Sequence, residues 1–256
     1  MADWSGQDYS RVSALQRSVA AESLAELVVD GSEWILDIGC GDGFLTAEIA
    51  ARLPHGYIVG VDASPRMVAT AGRRGPATPV GPVYVCADAR RLPFGRSFDM
   101  VVSFNALHWV PQLGEALAGV AAVLRPRGRA LIQMVCAGTR PSIESTAMQV
   151  AGHPRWASRF AGFSTPFIHP QPAELRELAD SCGFQVASMT VLDREWDFGT
   201  VEQFTAWCAV GSTAWTERLP ESDRAAFVDD LVAAYEPVVG QAGLVRFMQV
   251  RAELHL

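Results

Sequence analysis

The residues of this chain best suited to chemistry are three glycines that alternate along one turn, Gly39, Gly41 and Gly43. The apolar run Ile35–Ile38 enters the turn and a helical pattern leaves it. This is expected where a buried strand bends sharply into a helix and a ligand contacts the bare backbone. Asp62 ends a second apolar run about 20 positions later, where nucleotide-binding folds place the carboxylate that contacts a ribose. These residues predict a site for an adenosine-containing cofactor.

Two further features distinguish this pattern from a dinucleotide site. The glycine spacing is G-x-G-x-G rather than the G-x-G-x-x-G of nicotinamide dehydrogenases, and Asp37 stands two positions before the first glycine. A third predicted strand, 83–87, leads into Asp88 and Ala89. Over residues 33–135 this set resembles the class I S-adenosylmethionine-dependent methyltransferases, which implies S-adenosyl-L-methionine as the cofactor. A dehydrogenase stays open as an alternative, in which NADH rather than S-adenosylhomocysteine would raise the melting temperature.

The resemblance implies a role for each residue of the predicted cofactor site. The three glycines would line the methionine and ribose portion of the cofactor. Asp62 would accept hydrogen bonds from both ribose hydroxyls, since one carboxylate can accept two donors side by side. Met67 would pack on the adenine, and Asp88 would accept from the adenine amino group. The remaining residues of the predicted cofactor site are Tyr9, Ala63, Ala89 and Asn105.

Two short segments concern the methyl acceptor. Tyr9–Gln16 and Ser103–Pro111, which contains Leu-His-Trp, resemble two regions of carboxyl methyltransferases. The relatives are the plant salicylate and jasmonate family, the insect juvenile-hormone-acid family and, for the second segment, bacterial trans-aconitate methyltransferase. In the plant family a glutamine and a tryptophan hold the substrate carboxylate, so the resemblance implies this role for Gln16 and Trp109. Val12 stands where that family usually has asparagine.

The acceptor atom decides whether a general base is needed. A carboxylate is ionised near neutral pH and needs none, so a small carboxylic acid with a hydrophobic body is the favoured acceptor. A hydroxyl, amine or carbon acceptor would need a base, for which His108 is the candidate. A histidine that only bonds the backbone at a strand end is the structural alternative. A protein that binds the cofactor without catalysis is a further alternative, since a fold does not imply a function.

Composition limits the classes of function. The 256 residues are 49% hydrophobic and 19% charged, and the formal net charge of −7 opposes nucleic acid as a partner. The five cysteines lack the paired spacing of a zinc site, so we expect reduced thiols and no metal. Neither a signal peptide nor an apolar run of about 20 residues is recognisable. We therefore expect a cytoplasmic protein, without membrane attachment, as a monomer or homodimer.

The elements that position these residues follow from the hydrophobic pattern. Short apolar strands alternate with amphipathic helices, which predicts an α/β fold. The resemblance specifies it as a doubly wound, seven-stranded, mostly parallel sheet, the Rossmann-like methyltransferase fold, with a helical cap inserted. The predicted strands cover 35–38, 57–62, 83–87, 99–104, 130–135, 184–190 and 246–254. The predicted helices begin near residues 15, 44, 64, 113, 175, 200 and 227.

The second half of the chain is expected to supply the cap. Residues 137–170 have an irregular, aromatic-rich pattern. We predict a cofactor-binding core with its N-terminal helix over 1–136, and cap segments over 137–245, interleaved with a sheet strand near 184–193. Residues 246–256 would form the closing strand. The first helix, the turn after the fourth strand and the cap should surround the acceptor, with cap rings from Trp196, Phe198, Phe204, Trp207 and Trp215.

Overall fold

A computed structural model of the chain describes residues 14–74 and 81–256. It confirms the predicted α/β fold with a seven-stranded sheet in the order β3-β2-β1-β4-β5-β7-β6. The first five strands run parallel, whereas β7 is antiparallel to both β5 and β6. The strands are β1 (Trp34–Ile38), β2 (Tyr57–Asp62), β3 (Val83–Cys86), β4 (Phe98–Phe104), β5 (Leu124–Val135), β6 (Gln185–Asp197) and β7 (Leu244–His255).

Helices cover both faces of the sheet and form the cap. The described helices are α1 (Ala14–Glu26), α2 (Phe44–Ala50), α3 (Pro65–Ala71), α4 (Leu113–Val123), α5 (Ile143–Gly152), α6 (Pro172–Ser181), α7 (Val201–Gly211), α8 (Thr213–Thr216) and α9 (Glu221–Val239). A short 3₁₀ turn, Leu107–Trp109, follows β4. Tyr9 and Val12 lie outside the described residues, as does the side chain of Gln16 within α1.

The central strands are buried on both faces because they are apolar throughout. Ile35 and Leu36 of β1 are fully buried and belong to two different clusters, one on each side of the sheet. Such a double-sided burial requires helices on both faces. The carboxyl ends of β1, β2 and β4 therefore meet at one edge, where residues 39–43, Asp62 and 105–109 follow their strands.

The cap has a hydrophobic core of its own. Helix α9 packs against α5 and α7, and Phe204, Trp215 and Phe227 are buried among them. Leu15 and Val19 of α1 join the same cluster, so the first helix connects the cap to the sheet. Helices α7, α8 and α9 occupy the chain between β6 and β7. The division into core and cap segments at the predicted boundaries remains a prediction.

One stretch differs from its sequence interpretation. The irregular pattern assigned to 137–170 contains the regular helix α5, whose N-cap Ser142 accepts a hydrogen bond from the Ser145 amide at 3.0 Å. Its buried side chains recur at helical spacing: Ile143, Ala147, Val150 and Ala151. The small residues among them weaken the hydrophobic signal, although they suit close packing against α9.

Membrane spans, metal sites and disulfides can be examined only in the described part of the chain. None of its helices combines the length and apolarity that crossing a bilayer requires. Within residues 14–74 and 81–256, no group of three His, Cys, Asp or Glu side chains is arranged to hold a metal ion. All five cysteines are free thiols.

Candidate cofactor and acceptor site

The glycine turn is held tightly between β1 and β2. The amides of Gly39 and Cys40 both donate to the Val61 carbonyl, at 2.8 and 3.0 Å. Gly39 has a φ of +78°, and a Cβ on it would lie 2.0 Å from the Cβ of Ala106. Gly41 also has positive φ, but a Cβ there would meet nothing within 4 Å. The turn thus needs glycine at 39 for close packing, while Gly41 leaves its backbone open to a ligand.

Asp62 holds the turn and the start of α3 together. One carboxylate oxygen accepts from the Gly41 amide at 3.0 Å and the other accepts from the Ser64 amide at 2.9 Å. Ser64 then caps α3 by accepting from the Met67 amide at 3.2 Å. Since each carboxylate oxygen has two lone pairs, Asp62 keeps capacity to accept ribose hydroxyls while it makes these bonds.

These elements surround a cavity at the sheet edge, the cofactor cavity. Seven residues predicted for the cofactor site line it: Gly39, Gly41, Asp62, Ala63, Met67, Ala89 and Asn105. Gly43 does not line it. Its role is to begin α2, since it has a φ of +77° and a Cβ on it would lie 2.6 Å from the Tyr84 hydroxyl. The open backbone at Gly41 beside a strand-end carboxylate fits a nucleoside with two adjacent hydroxyls.

Asp88 is placed differently from the other predicted cofactor residues. Its neighbours Ala87 and Ala89 line the cofactor cavity, whereas Asp88 does not. Its carboxylate pairs with Arg90, whose guanidinium donates at 2.6 Å. The hydrogen bond from Arg90 holds the pKa of Asp88 below its usual range. An adenine contact by this carboxylate therefore stays a prediction, and it would compete with the Arg90 pair.

Asp37 lies beneath the glycine turn, fully enclosed by protein. Its side chain is 2% exposed and accepts a 2.6 Å hydrogen bond from the Thr46 hydroxyl. Burial raises the pKa of Asp37 to about 7, the bond from Thr46 opposes this rise, and the charge of Asp62 adds to it. The turn therefore contains a carboxyl group that is partly protonated near neutral pH.

This proton should make stability depend on pH. The unfolded chain releases it near pH 4, about the ordinary pKa of aspartate, whereas the folded state keeps it to about pH 7. We therefore expect the free energy of unfolding to fall between these values as pH rises, by up to about 1.4 kcal/mol per pH unit. Asp37→Asn should remove this component, measured by urea denaturation at pH 5 and pH 7. The same pH dependence in variant and wild type would contradict the assignment.

A second cavity, the acceptor cavity, adjoins the first. Asn105 and Trp109 line both cavities, so they form the wall between them. The three parts of the chain predicted to surround the acceptor, namely α1, the turn after β4 and the cap, all contribute to its lining. Of the five cap rings predicted there, Trp207 and Trp215 line this cavity, whereas Trp196, Phe198 and Phe204 pack in the cap cluster.

Asn105 occupies a strained position in this wall. Its φ of +56° lies in the left-handed region, which is uncommon for residues other than glycine. Its side-chain oxygen accepts from the buried Gln249 amide of β7 at 2.9 Å, and its own amide donates to the Gln133 carbonyl at 2.7 Å. Because such strain persists only where surrounding contacts fix it, Gln249 is a positioning residue that sequence reasoning missed.

His108 is buried at the acceptor cavity. Its side chain is 4% exposed, and Nδ1 has no hydrogen-bond partner among the described residues. Burial, together with the neighbouring His169, holds the pKa of His108 well below its usual range. The ring is therefore neutral near pH 7 and presents one nitrogen that a ligand could bond.

Two polar residues of the acceptor cavity were missed from the sequence. Glu144 of α5 lines it with a side chain that is 13% exposed, and its carboxylate lies 3.8 Å from His169 Nε2. Ser212, after α7, is 3% exposed, and its hydroxyl has no hydrogen-bond partner within the described part of the chain. Glu144 has no other candidate near it in sequence, and Ser212 is near only the predicted cap rings Trp207 and Trp215, so the three-dimensional arrangement is what reveals both residues.

Comparison with known proteins agrees with this arrangement. Residues 36–132 match the methyltransferase domain family. A trans-aconitate 2-methyltransferase from Methylobacterium nodulans is 33% identical over 161 residues, which cover 63% of this chain and 60% of that protein. An S-adenosylmethionine-dependent methyltransferase structure from Mesorhizobium loti superposes with a TM-score of 0.55 at 22% identity, covering 92% and 96% of the two chains. The [4+2]-cyclase SpnF superposes with a TM-score of 0.61 at 18% identity, covering 93% and 79%.

The family match lies in the part of the chain that forms the cofactor cavity. The chain spans between about half and three fifths of the length of the curated relatives it matches. The matched region contains the glycine turn, Asp62 and the turn after β4, whereas the structural likeness extends over the sheet and cap. Family match, sheet order and cavity geometry agree. Residues 36–132 therefore belong to the methyltransferase domain family, and the sheet and helices around them have the fold of a known S-adenosylmethionine-dependent methyltransferase structure.

Proposed function

We propose that this chain transfers the methyl group of S-adenosylmethionine to a small molecule bound in the acceptor cavity. The observation that carries the proposal is the shared wall: Asn105 and Trp109 line both cavities, so ligands in the two would lie next to each other. Holding two reactants side by side in a site that excludes water is the main requirement of a methyl transfer.

The cofactor, when bound, supplies an electrophilic methyl group on a sulfonium centre. The chain's own residues bind the cofactor and the acceptor and orient them. Gly41 and Asp62 would hold the ribose side, and Met67 would pack on the base. Trp109, with Trp215 at 6.2 Å between ring centroids, would fix the acceptor and keep water out.

A carboxylate oxygen is our first candidate for the acceptor atom. The Trp109 indole and the Gln16 amide would supply neutral N–H donors, which orient a carboxylate without removing its charge. The neutral His108 is compatible with this, because the reaction needs no base. The naming of the Methylobacterium relative as a trans-aconitate 2-methyltransferase also supports an acid as the acceptor.

The lining of the cavity restricts which acids could bind. Among its described residues none is lysine or arginine, and Glu144 adds negative charge. Burying several carboxylates beside an unpaired anion is strongly unfavourable. We therefore propose an acceptor with a single carboxylate on a largely apolar body, and not a tricarboxylate such as aconitate.

A hydroxyl, amine or carbon acceptor is the second candidate. It is favoured by His108, which lines the acceptor cavity and whose buried Nδ1 has no partner among the described residues. Its lowered pKa makes it a weak base, which argues for the carboxylate first. A non-catalytic binder is the third candidate, because a fold does not by itself imply an activity.

Two variants separate the acceptor classes in an assay with methyl-labelled cofactor and a panel of small acids, alcohols and amines. If a carboxylate is methylated, Gln16→Ala should lower kcat/KM about 10- to 100-fold through loss of a hydrogen bond to a charged group. His108→Ala should then have little effect, and base hydrolysis of the product should release methanol. If a neutral acceptor is methylated, His108→Ala should lower turnover about 10²- to 10⁴-fold across a bell-shaped pH profile.

The controls are an exposed glutamine and cofactor binding. Gln203 lies exposed on α7, so Gln203→Ala should leave turnover unchanged. Calorimetry with S-adenosylhomocysteine tests the proposal itself. No binding at millimolar ligand would refute it, and tight binding without transfer to any acceptor would favour the non-catalytic alternative.

A further inference from the structure

Three polar side chains line the acceptor cavity, those of Glu144, Ser212 and His108. Ser212 and His108 are more than nine-tenths buried, and within the described part of the chain the Ser212 hydroxyl and Nδ1 of His108 have no hydrogen-bond partner. Since buried polar groups are normally hydrogen-bonded, these two atoms indicate a ligand whose polar atoms they meet once their side chains rotate toward the cavity.

Glu144 determines which charge that ligand should carry. His169 is the only basic side chain that the described residues place within 4 Å of the Glu144 carboxylate, with Nε2 at 3.8 Å. This separation is too long for a hydrogen bond. Burial holds the pKa of His169 below its usual value, so the ring is neutral near pH 7 and does not balance the charge. A carboxylate in such surroundings is stabilised by a cation.

The rings around Glu144 favour the same kind of ligand. Trp109, Trp207, Trp215 and Phe247 line the cavity with it. The faces of tryptophan rings attract cations, and this attraction is stronger when the cation is removed from water. The combination of one carboxylate, several tryptophans and a spare hydroxyl is complementary to a substituted ammonium group.

Resting on the proposed function, we propose that Glu144, Ser212 and the tryptophan wall form a subsite for a protonated amine carried by the methyl acceptor. Its N–H groups would donate to Glu144 and Ser212, and its carbon body would contact Trp207 and Trp215. Glu144 lines the acceptor cavity but not the cofactor cavity, so the subsite concerns recognition of the acceptor and leaves the methylated atom open. A carboxylate at Trp109 and an amine at Glu144 are compatible on one molecule.

Two probes of similar shape test the subsite by calorimetry on protein saturated with S-adenosylhomocysteine. They are 2-phenylethylamine and 2-phenylethanol, which differ in the charge of the head group. We expect the amine to bind about tenfold or more tightly than the alcohol. In Glu144→Gln the preference for the amine should fall to about threefold or less. Glu177→Gln, at an exposed position on α6, should retain it.

Each result has a definite consequence. An alcohol that binds as tightly as the amine, no binding of the amine at 10 mM, or an unchanged preference in Glu144→Gln would overturn the subsite. The wild-type comparison among the probes decides the question even if Glu144→Gln does not fold. Saturation with S-adenosylhomocysteine is measured first, so a failure of cofactor binding, which counts against the proposed function, is seen separately from a failure of the amine preference.

Discussion

Gly39→Ala is expected to destabilise the folded chain by about 2 to 5 kcal/mol and to abolish cofactor binding. Two effects add together. The residue has a φ of +78°, which strains any residue with a Cβ, and the new methyl group would lie 2.0 Å from the Cβ of Ala106. Ala106 belongs to the turn after β4, which forms the wall between the two cavities. Ala106 therefore cannot move away without moving its neighbour Asn105. Urea denaturation and calorimetry with S-adenosylhomocysteine measure the two effects.

Gly41→Ala is the matched control. It also has positive φ, but a Cβ there would meet nothing within 4 Å. We expect a loss of stability of only about 1 to 2 kcal/mol from backbone strain, with weaker binding because the methyl group would enter the cofactor cavity. If the two variants were equally stable, close packing at Gly39 would not be the reason for its glycine.

Asp62→Ala is expected to weaken S-adenosylhomocysteine binding about 100-fold or more. The variant loses the predicted bonds to two ribose hydroxyls, and hydrogen bonds to a charged group each contribute about 1.5 to 3 kcal/mol. It also frees the Gly41 and Ser64 amides, which the carboxylate holds at 3.0 and 2.9 Å, so the turn becomes less ordered. Calorimetry measures the change in Kd.

Asp88→Ala distinguishes a specific role of Asp62 from a general effect of negative charge. The Asp88 carboxylate is paired with Arg90 and does not line the cofactor cavity, so we expect an effect below about tenfold. If Asp88→Ala weakened S-adenosylhomocysteine binding as much as Asp62→Ala, Asp88 would contact the adenine, as the family resemblance implies. Its carboxylate would then have to give up its bond to Arg90. Unchanged binding in Asp62→Ala would refute the cofactor assignment of this strand end.

The cofactor half of the molecule was predictable because its requirements are local. Short apolar runs such as Ile35–Ile38 predict buried strands. A turn with alternating glycines predicts positive φ values and close contact between the backbone and its neighbours. Asp62 follows its strand directly, so its place at the sheet edge depends only on the parallel arrangement. The seven-stranded, mostly parallel sheet therefore agrees with the sequence analysis, and seven of the residues predicted to bind the cofactor line one cavity at its edge.

Some details of this half depended on neighbours that the motif does not specify. Asp88 pairs with Arg90, only two positions away, and the motif itself gives no indication of this competition. The helix α5 was missed because its buried face consists mainly of small residues, which give a weak periodic signal. Gln249 of β7 donates a hydrogen bond to Asn105, which follows β4. These two strands are far apart in sequence, but only β5 separates them in the sheet.

The sequence by itself determined the α/β fold and indicated the cofactor, because these depend on residue types at fixed short spacings. The edge of the sheet where the cofactor would bind remains a prediction. Only the tertiary structure decided the character of the acceptor cavity. Glu144 comes from α5, whereas Trp207 and Ser212 lie in and directly after α7, and they meet His108 through packing between distant parts of the chain. Such packing depends on how whole helix faces fit together, so no spacing in the sequence encodes it.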